Sequence, residues 1–420
     1  MINLLGTTGV MRSIGGVVLA IVILLAMVTI HEFGHYLAGK ILGFKINEFS
    51  VGFGPALWKR RSKTTGELFA VRLIPLGGYC AFDGEDEYVD EEKIKEEEQE
   101  ISPFEDIETD GVGARRTDSY DEMIGAGTSV SEQPAETKTE GTGTSLEEEY
   151  PEPKGERFND LAPWKRIIVL VAGATMNYLL ALFIIIGMFT FIGQPLYRVV
   201  EPKESGYLDP VYEVGDIIET IEGKNVYLIT DYMDALEGKN AGEEISVGVI
   251  RNGARETLTV TLKEDCDFVN MSDTSKLLKA MGVYSLYMNT VKHDAFETLG
   301  RSVAYSWKIG GMVLRSFGEL LTGKLGLEAV GGPVTTITVT AEAASSSMLS
   351  FLNVSALIGV NLAVFNLLPV PALDGSKVVF CAIEWIRKKP VNRKVETIIH
   401  LVGIVVLFGF AILVDLLKLF

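Results

Sequence analysis

The chain has 420 residues, of which 47% are hydrophobic and only 22% charged, with the apolar residues gathered into a few long runs. That pattern excludes an ordinary water-soluble globule and points to a membrane protein. The formal net charge is −18, but the acidic excess lies between residues 83 and 156, and nothing elsewhere forms a basic face for nucleic acid. The three cysteines, Cys80, Cys266 and Cys381, are far apart and make no CxxC pair, which leaves no basis for a disulfide framework or a cysteine zinc site.

The first apolar run, Ile14 to Ile30, leads directly into a polar group beginning at His31. Arg12 ahead of it gives the outline of a signal peptide. The run is long for a signal core and no small-residue cleavage site follows, so a retained span is expected, with His31 at its far end. Leu68 to Leu73 has strand character, and Pro75-Leu76-Gly77-Gly78-Tyr79 supplies a turn. Residues 83–156 are rich in Glu, Gly, Thr and Ser and read as a disordered, solvated insert, with an interaction tail as the alternative.

The second run, Ile167 to Ile192, is preceded by Trp164, Lys165 and Arg166, as an interfacial anchor should be. Residues 195–265 read as a small soluble domain. Glu244–Ile250 and Thr257–Leu262 alternate apolar and polar around an Arg251-Asn252-Gly253 turn, and Asp231–Leu236 has the size of a short helix against these strands. From Ala295 to Leu321 an apolar pattern recurs around Arg301, Lys308 and Arg315, expected as an amphipathic helix on or near the membrane. The third run, Phe351 to Leu368, ends at Pro369-Val370-Pro371, and the fourth covers Thr397 to Leu417. The loop after the first span carries Lys40, Lys45, Lys59, Arg60, Arg61 and Lys63, and the loop between the last two carries Arg387, Lys388, Lys389, Arg393 and Lys394. Both should be cytoplasmic, which puts both termini and segment 193–350 outside.

His31-Glu32-Phe33-Gly34-His35 fits the H-E-x-x-H pattern. On a helix the two imidazoles lie one turn apart on one face and can reach one zinc ion, while Glu32 can take a proton from water. The bland alternative is a pair of interfacial histidines with a snorkelling Glu. A third protein ligand is needed. His293 falls in the external segment, and His400 stands near the start of the fourth run without a polar neighbour. Asp374 is the better candidate, because it follows a proline-broken span where irregular backbone should line a cavity.

With these residues in place the chain resembles the site-2 protease family of intramembrane metalloproteases, in particular the bacterial branch with a PDZ domain. The resemblance rests on His31-Glu32-Phe33-Gly34-His35, on Asn366 through Leu373-Asp374-Gly375, and on the order of the spans. It implies that Asp374 is the third zinc ligand. It also implies that Asn177 contacts the substrate or its oxyanion, that Asn366 lies near the substrate, and that Gly77 and Gly78 belong to a membrane re-entrant β-hairpin able to bind substrate. Simple interhelical hydrogen bonding is the alternative for the two asparagines. The sequence has Ala172 where the family commonly has Pro, and Ser376 where it often has a second Gly. Val214 to Lys224 is the part that looks like a PDZ domain, whose peptide contact or size-filter role follows from the resemblance. Gly331-Gly332-Pro333-Val334 matches a family segment without a chemical role.

The expected fold class is a mainly α-helical polytopic membrane protein of four spans, with a membrane-associated β-hairpin and an inserted α+β PDZ-like domain. The expected divisions are 1–82 (first span, motif and hairpin), 83–156 (acidic insert), 157–193 (second span), 194–268 (PDZ-like domain), 269–350 (amphipathic connection) and 351–420 (third and fourth spans). The implied activity is zinc-dependent cleavage of single-span membrane substrates, such as anti-sigma factors, signal-peptide remnants or pheromone precursors, in a bacterial cytoplasmic membrane. The active site would lie near the cytoplasmic side. A non-catalytic membrane adaptor and a zinc transporter are the rival classes.

Overall fold

The computed structural model describes residues 2–85, 150–200, 208–268, 273–327 and 330–418. Residues 86–149, the greater part of the acidic insert, therefore lie outside the described residues.

The fold is mainly helical. Among the described residues four helices are long and apolar enough to cross a membrane, over Ile14–Leu42, Pro163–Phe191, Met348–Leu367 and Arg393–Leu417. The first belongs to α1 (Ile2–Leu42), and the others are α2, α7 and α9 in chain order. α1 runs past the His31 motif to Leu42, so the motif sits inside the helix and not at its far end. Leu37 and Ile41 keep the helix apolar and outward-facing beyond the motif, which explains why it does not stop at the first polar group.

α2 is the hub, packing against α1, α7, α8 (Asp374–Arg387) and α5 (Ala295–Leu321). Around its first turns Phe44, Phe82, Phe158, Leu161 and Val169 form one apolar cluster. Toward its other end Ala181, Ile185 and Met188 pack with Tyr305, Ile309 and Val313 of α5 and Ala356 and Val360 of α7. The buried Arg166 guanidinium at the start of α2 donates to Glu384 of α8, and Arg393 of α9 reaches the same carboxylate at 3.0 Å.

The hairpin of β1 (Ile46–Arg61) and β2 (Leu68–Phe82) curls back on itself. Residues Glu48 to Val51 have partners on both sides, in Ala81–Gly78 and in Leu68–Val71. Buried Glu67 anchors it to α1 by accepting from Lys40 and, at 3.1 Å, from the Tyr36 hydroxyl. The two ends of the acidic segment belong to this unit, since Asp83 and Glu156 both make backbone hydrogen bonds with Lys45.

The second sheet has the order β7-β6-β4-β3-β8, with β5 paired to β4. Its strands are β3 (Gln194–Val199), β4 (Ile217–Ile221), β5 (Lys224–Asn225), β6 (Glu244–Arg251), β7 (Ala254–Thr261) and β8 (Leu286–Val291). The β6–β7 turn has Asn252 at φ 52° and Gly253 at φ 83°, the left-handed pair that a two-residue hairpin favours. Helices α3 (Ile229–Leu236) and α4 (Thr274–Ala280) close its core over Ile218, Val247, Tyr232 and Leu277. Because β8 pairs with β3 along its length, the first part of the expected connecting region 269–350 is a working part of this sheet.

α5 spans the residues expected of the amphipathic helix but carries three faces. Tyr305, Ile309 and Val313 enter the bundle, while Phe296, Val303, Trp307 and Leu314 are exposed. Arg301, Lys308 and Arg315 pair with Glu219, Asp231 and Asp234 of the sheet domain. The expected membrane-surface helix is thus also the clamp between bundle and sheet. α6 (Pro333–Ser346) packs along α1, Ala341 facing Gly16. Asp415 of α9 caps it, accepting from the Val334 and Thr335 amides and the Thr335 hydroxyl. The Gly331–Val334 segment thereby gains a structural role.

Removing one side of the Arg166–Glu384 pair leaves a buried charge without a partner, which costs about 3–5 kcal/mol. Glu384→Ala should therefore lower stability by about that amount in a reversible detergent unfolding titration, and adding Arg166→Met should recover most of it.

Candidate metal centre

Two helices deliver the three candidate ligands. His31 and His35 stand one turn apart on α1, their rings T-shaped with centroids 4.7 Å apart. Asp374 arrives after the Pro369–Pro371 break, where Leu368 is extended and Ala372 takes φ 82°. A non-glycine residue in that left-handed region is strained, as is common at functional sites. α8 begins at Asp374, whose carboxylate faces the two imidazoles.

The donor atoms form a nearly equilateral triangle. His31 Nε2 is 3.0 Å from Asp374 Oδ2, His35 Nε2 is 3.3 Å from it, and the two Nε2 atoms are 3.1 Å apart. Ligands about 2.0–2.1 Å from a tetrahedral zinc lie roughly 3.3 Å from one another. The spacing and the N, N, O donor set therefore fit zinc.

α2 makes room for the two rings. A Cβ on Gly173 would lie 2.4 Å from His35 Nε2 and 2.8 Å from His31 Cε1, and one on Gly34 would lie 2.5 Å from the Ala172 carbonyl oxygen. The helices cross at backbone contact, which small residues permit in a membrane. On this same face the Val169 carbonyl is 2.9 Å from His35 Nδ1, and Asn177 Nδ2 is 3.3 Å from His31 Nδ1.

Glu32 is close enough to His31, His35 and Asp374 to interact with them electrostatically. The hairpin meets it directly, since a Cβ on Gly78 would stand 3.0 Å from Glu32 Cγ. Neighbouring Gly77 has φ 141° and lies against the Phe53 ring. Asn366 is half-buried, with Nδ2 3.5 Å from His31 Nδ1. The structure thus brings Glu32, His31, His35, Asp374, Asn177, Asn366 and Gly78 into one neighbourhood.

His400 differs from expectation. Its Nε2 is 3.2 Å from Ser376 Oγ, a polar neighbour supplied by α8, distant in sequence. A second group of possible ligand atoms, Glu219, His293 and Glu297, lies at the sheet domain. Arg255 and Arg301 already donate to both carboxylates there at 2.6 to 2.9 Å, so a further cation would be repelled. Sequence reasoning missed Gly173 and the Val169 carbonyl.

The family model described as Peptidase family M50 matches residues 19–410. The chain belongs to peptidase family M50. It is 26% identical over 417 residues to the zinc metalloprotease RasP of Bacillus licheniformis, covering 92% of this chain and 94% of the relative. It is 26% identical over 415 residues to the regulator of sigma-W protease RasP of Bacillus subtilis, covering 92% and 94%. The zinc metalloprotease RasP of Oceanobacillus iheyensis is 26% identical over 417 residues, with 92% and 95% covered. This M50 protein is a zinc metalloprotease of the site-2 protease family, a bacterial membrane protein with four long apolar helices among the described residues.

If Gly173 exists to clear the two imidazoles, Gly173→Ala should empty the centre of this M50 protease. Bound zinc should fall about tenfold or more by atomic absorption. Because alanine favours a helix over glycine by about 1 kcal/mol, circular dichroism should show undiminished helix.

Proposed function

We propose that this protease hydrolyses a peptide bond inside the membrane-spanning segment of a single-span substrate, with His31, His35 and Asp374 holding zinc and Glu32 acting as general base. The observation that carries the reading is the donor triangle, which meets from α1 and α8 beside apolar spans, with a carboxylate and a strand edge at its rim.

Zinc at this position supplies a Lewis acid that lowers the pKa of water and polarises a carbonyl. Glu32 takes the proton from the attacking water and returns it to the leaving amine. The hairpin edge at Gly77 and Gly78 holds the substrate extended by strand addition, which opens the scissile bond of a former helix. The absence of side chains at these two positions lets the substrate backbone approach Glu32 closely. Asn366, half-buried beside His31, offers an amide to the unwound substrate backbone.

The exposed Lys59, Arg60 and Arg61 on the hairpin, with Arg387, Lys388 and Lys389 at the end of α8, support a cytoplasmic position for this end. Both termini and the sheet domain then lie outside. Residues 194–291, built on the strands described above, are read as a PDZ-like domain that admits only substrates already trimmed of bulky external parts. A regulatory substrate of the anti-sigma kind agrees with the name of the Bacillus subtilis relative, regulator of sigma-W protease RasP.

The test is cleavage of a model single-span substrate in detergent by wild type and Glu32→Ala, with zinc assayed in both. The variant should keep its zinc and lose about 10²- to 10⁴-fold in rate, the usual range for a general base. Cleavage by Glu32→Ala at the wild-type rate would overturn the assignment.

A further inference from the structure

Both imidazoles rest on one stripe of α2. Val169, Gly173 and Asn177 follow at intervals of four residues and so share a helix face. Val169 presents its carbonyl oxygen to His35 Nδ1 at 2.9 Å. Gly173 keeps the space above it clear for both rings. Asn177 stands under His31 with 1% of its surface exposed.

A histidine that gives Nε2 to a metal carries its proton on Nδ1, and that N–H needs an acceptor which fixes tautomer and ring. His35 has one in the Val169 carbonyl. His31 faces two amide NH2 groups, those of Asn177 at 3.3 Å and Asn366 at 3.5 Å. Two donors facing a third donor make no hydrogen bond. Meanwhile Asn177 Oδ1 is buried without a partner.

The oxygen and nitrogen of an asparagine amide are assigned from its surroundings, and a half-turn exchanges them without moving any other atom. Turned so, Asn177 places Oδ1 where the contact with His31 Nδ1 now stands and replaces a donor–donor contact by a hydrogen bond. Asn366 is the weaker claimant, because it is half-exposed and its contact is at the limit of hydrogen-bond range.

We propose that Asn177 is the positioning residue of His31, its Oδ1 accepting from Nδ1–H so that Nε2 is presented to zinc. This departs from the substrate contact implied by resemblance and rests on the reading of His31 as a ligand. The α2 stripe then serves both histidines, through a backbone oxygen for His35 and an amide oxygen for His31.

The experiment measures zinc affinity by chelator competition, and the visible spectrum of the cobalt-substituted protein, for wild type, Asn177→Asp and Asn177→Leu. Asn177→Asp keeps the acceptor and should bind zinc as tightly as wild type or more so. Asn177→Leu removes it and should bind about 10- to 100-fold more weakly, the usual effect of losing the partner of a ligating histidine, with an altered cobalt spectrum. At saturating zinc its KM for the single-span substrate should stay near wild type. Unchanged zinc affinity in Asn177→Leu with a raised KM would overturn the proposal and return Asn177 to the substrate. Equal loss in Asn177→Asp and Asn177→Leu would also overturn it, since both would then report local packing. Failure of the wild type to bind zinc would instead remove the metal centre itself.

Discussion

The close crossing of α1 and α2 is the constraint from which the rest of the site follows. Where Gly34 meets Ala172 and Gly173 the two backbones are in near contact, so the imidazoles of His31 and His35, their planes at 84° to one another, are held close against α2. A ring held this way cannot rotate to offer its other nitrogen. α2 also receives α7, which leads to the proline break, and α8, which carries Asp374. One helix thus fixes the direction of two candidate ligands and the approach of the third.

The same economy governs α5. In a soluble protein a helix needs one apolar stripe, but here it has two, one for the bundle and one exposed, with a line of cations between them. The cations meet the carboxylates of Glu219, Asp231 and Asp234, which ties the sheet domain to the spans beside the apolar contact of Tyr227 and Leu228 with the bundle. Charge pairing suits this boundary because its partners can be hydrated on one side while the helix remains apolar on the others.

Local signals were readable in the sequence and distant ones were not. His31 and His35 are visible because four residues make one helical turn, and Asp374 because two prolines mark the break before it. The strands of β6 and β7 are visible through alternation and their Asn252-Gly253 turn. α6 is not, since Thr335, Thr336, Thr338 and Thr340 are β-branched and disfavour a helix. It forms because Pro333 starts it and Asp415, far along the chain, caps it. Gly173 carries no local mark in an apolar run, and its necessity appears only when α1 is laid across it. His400 acquires Ser376 as a neighbour only through the packing of α9 beside α8.

α9 is tied to the protein at its ends, by Arg393 to Glu384 and by Asp415 to α6. Between them Gly403 packs directly on Pro371, beside a groove of about 440 Å³ lined by Val370, Val402 and Phe410. Only 6% of its most apolar stretch is buried, against 33% for α2. A span so little buried would be solvated mainly by acyl chains, and its tilt would answer to bilayer thickness more than to side-chain fit. Lipid composition thereby becomes a structural variable of the wall nearest the proline break, one that no substitution in the bundle needs to encode.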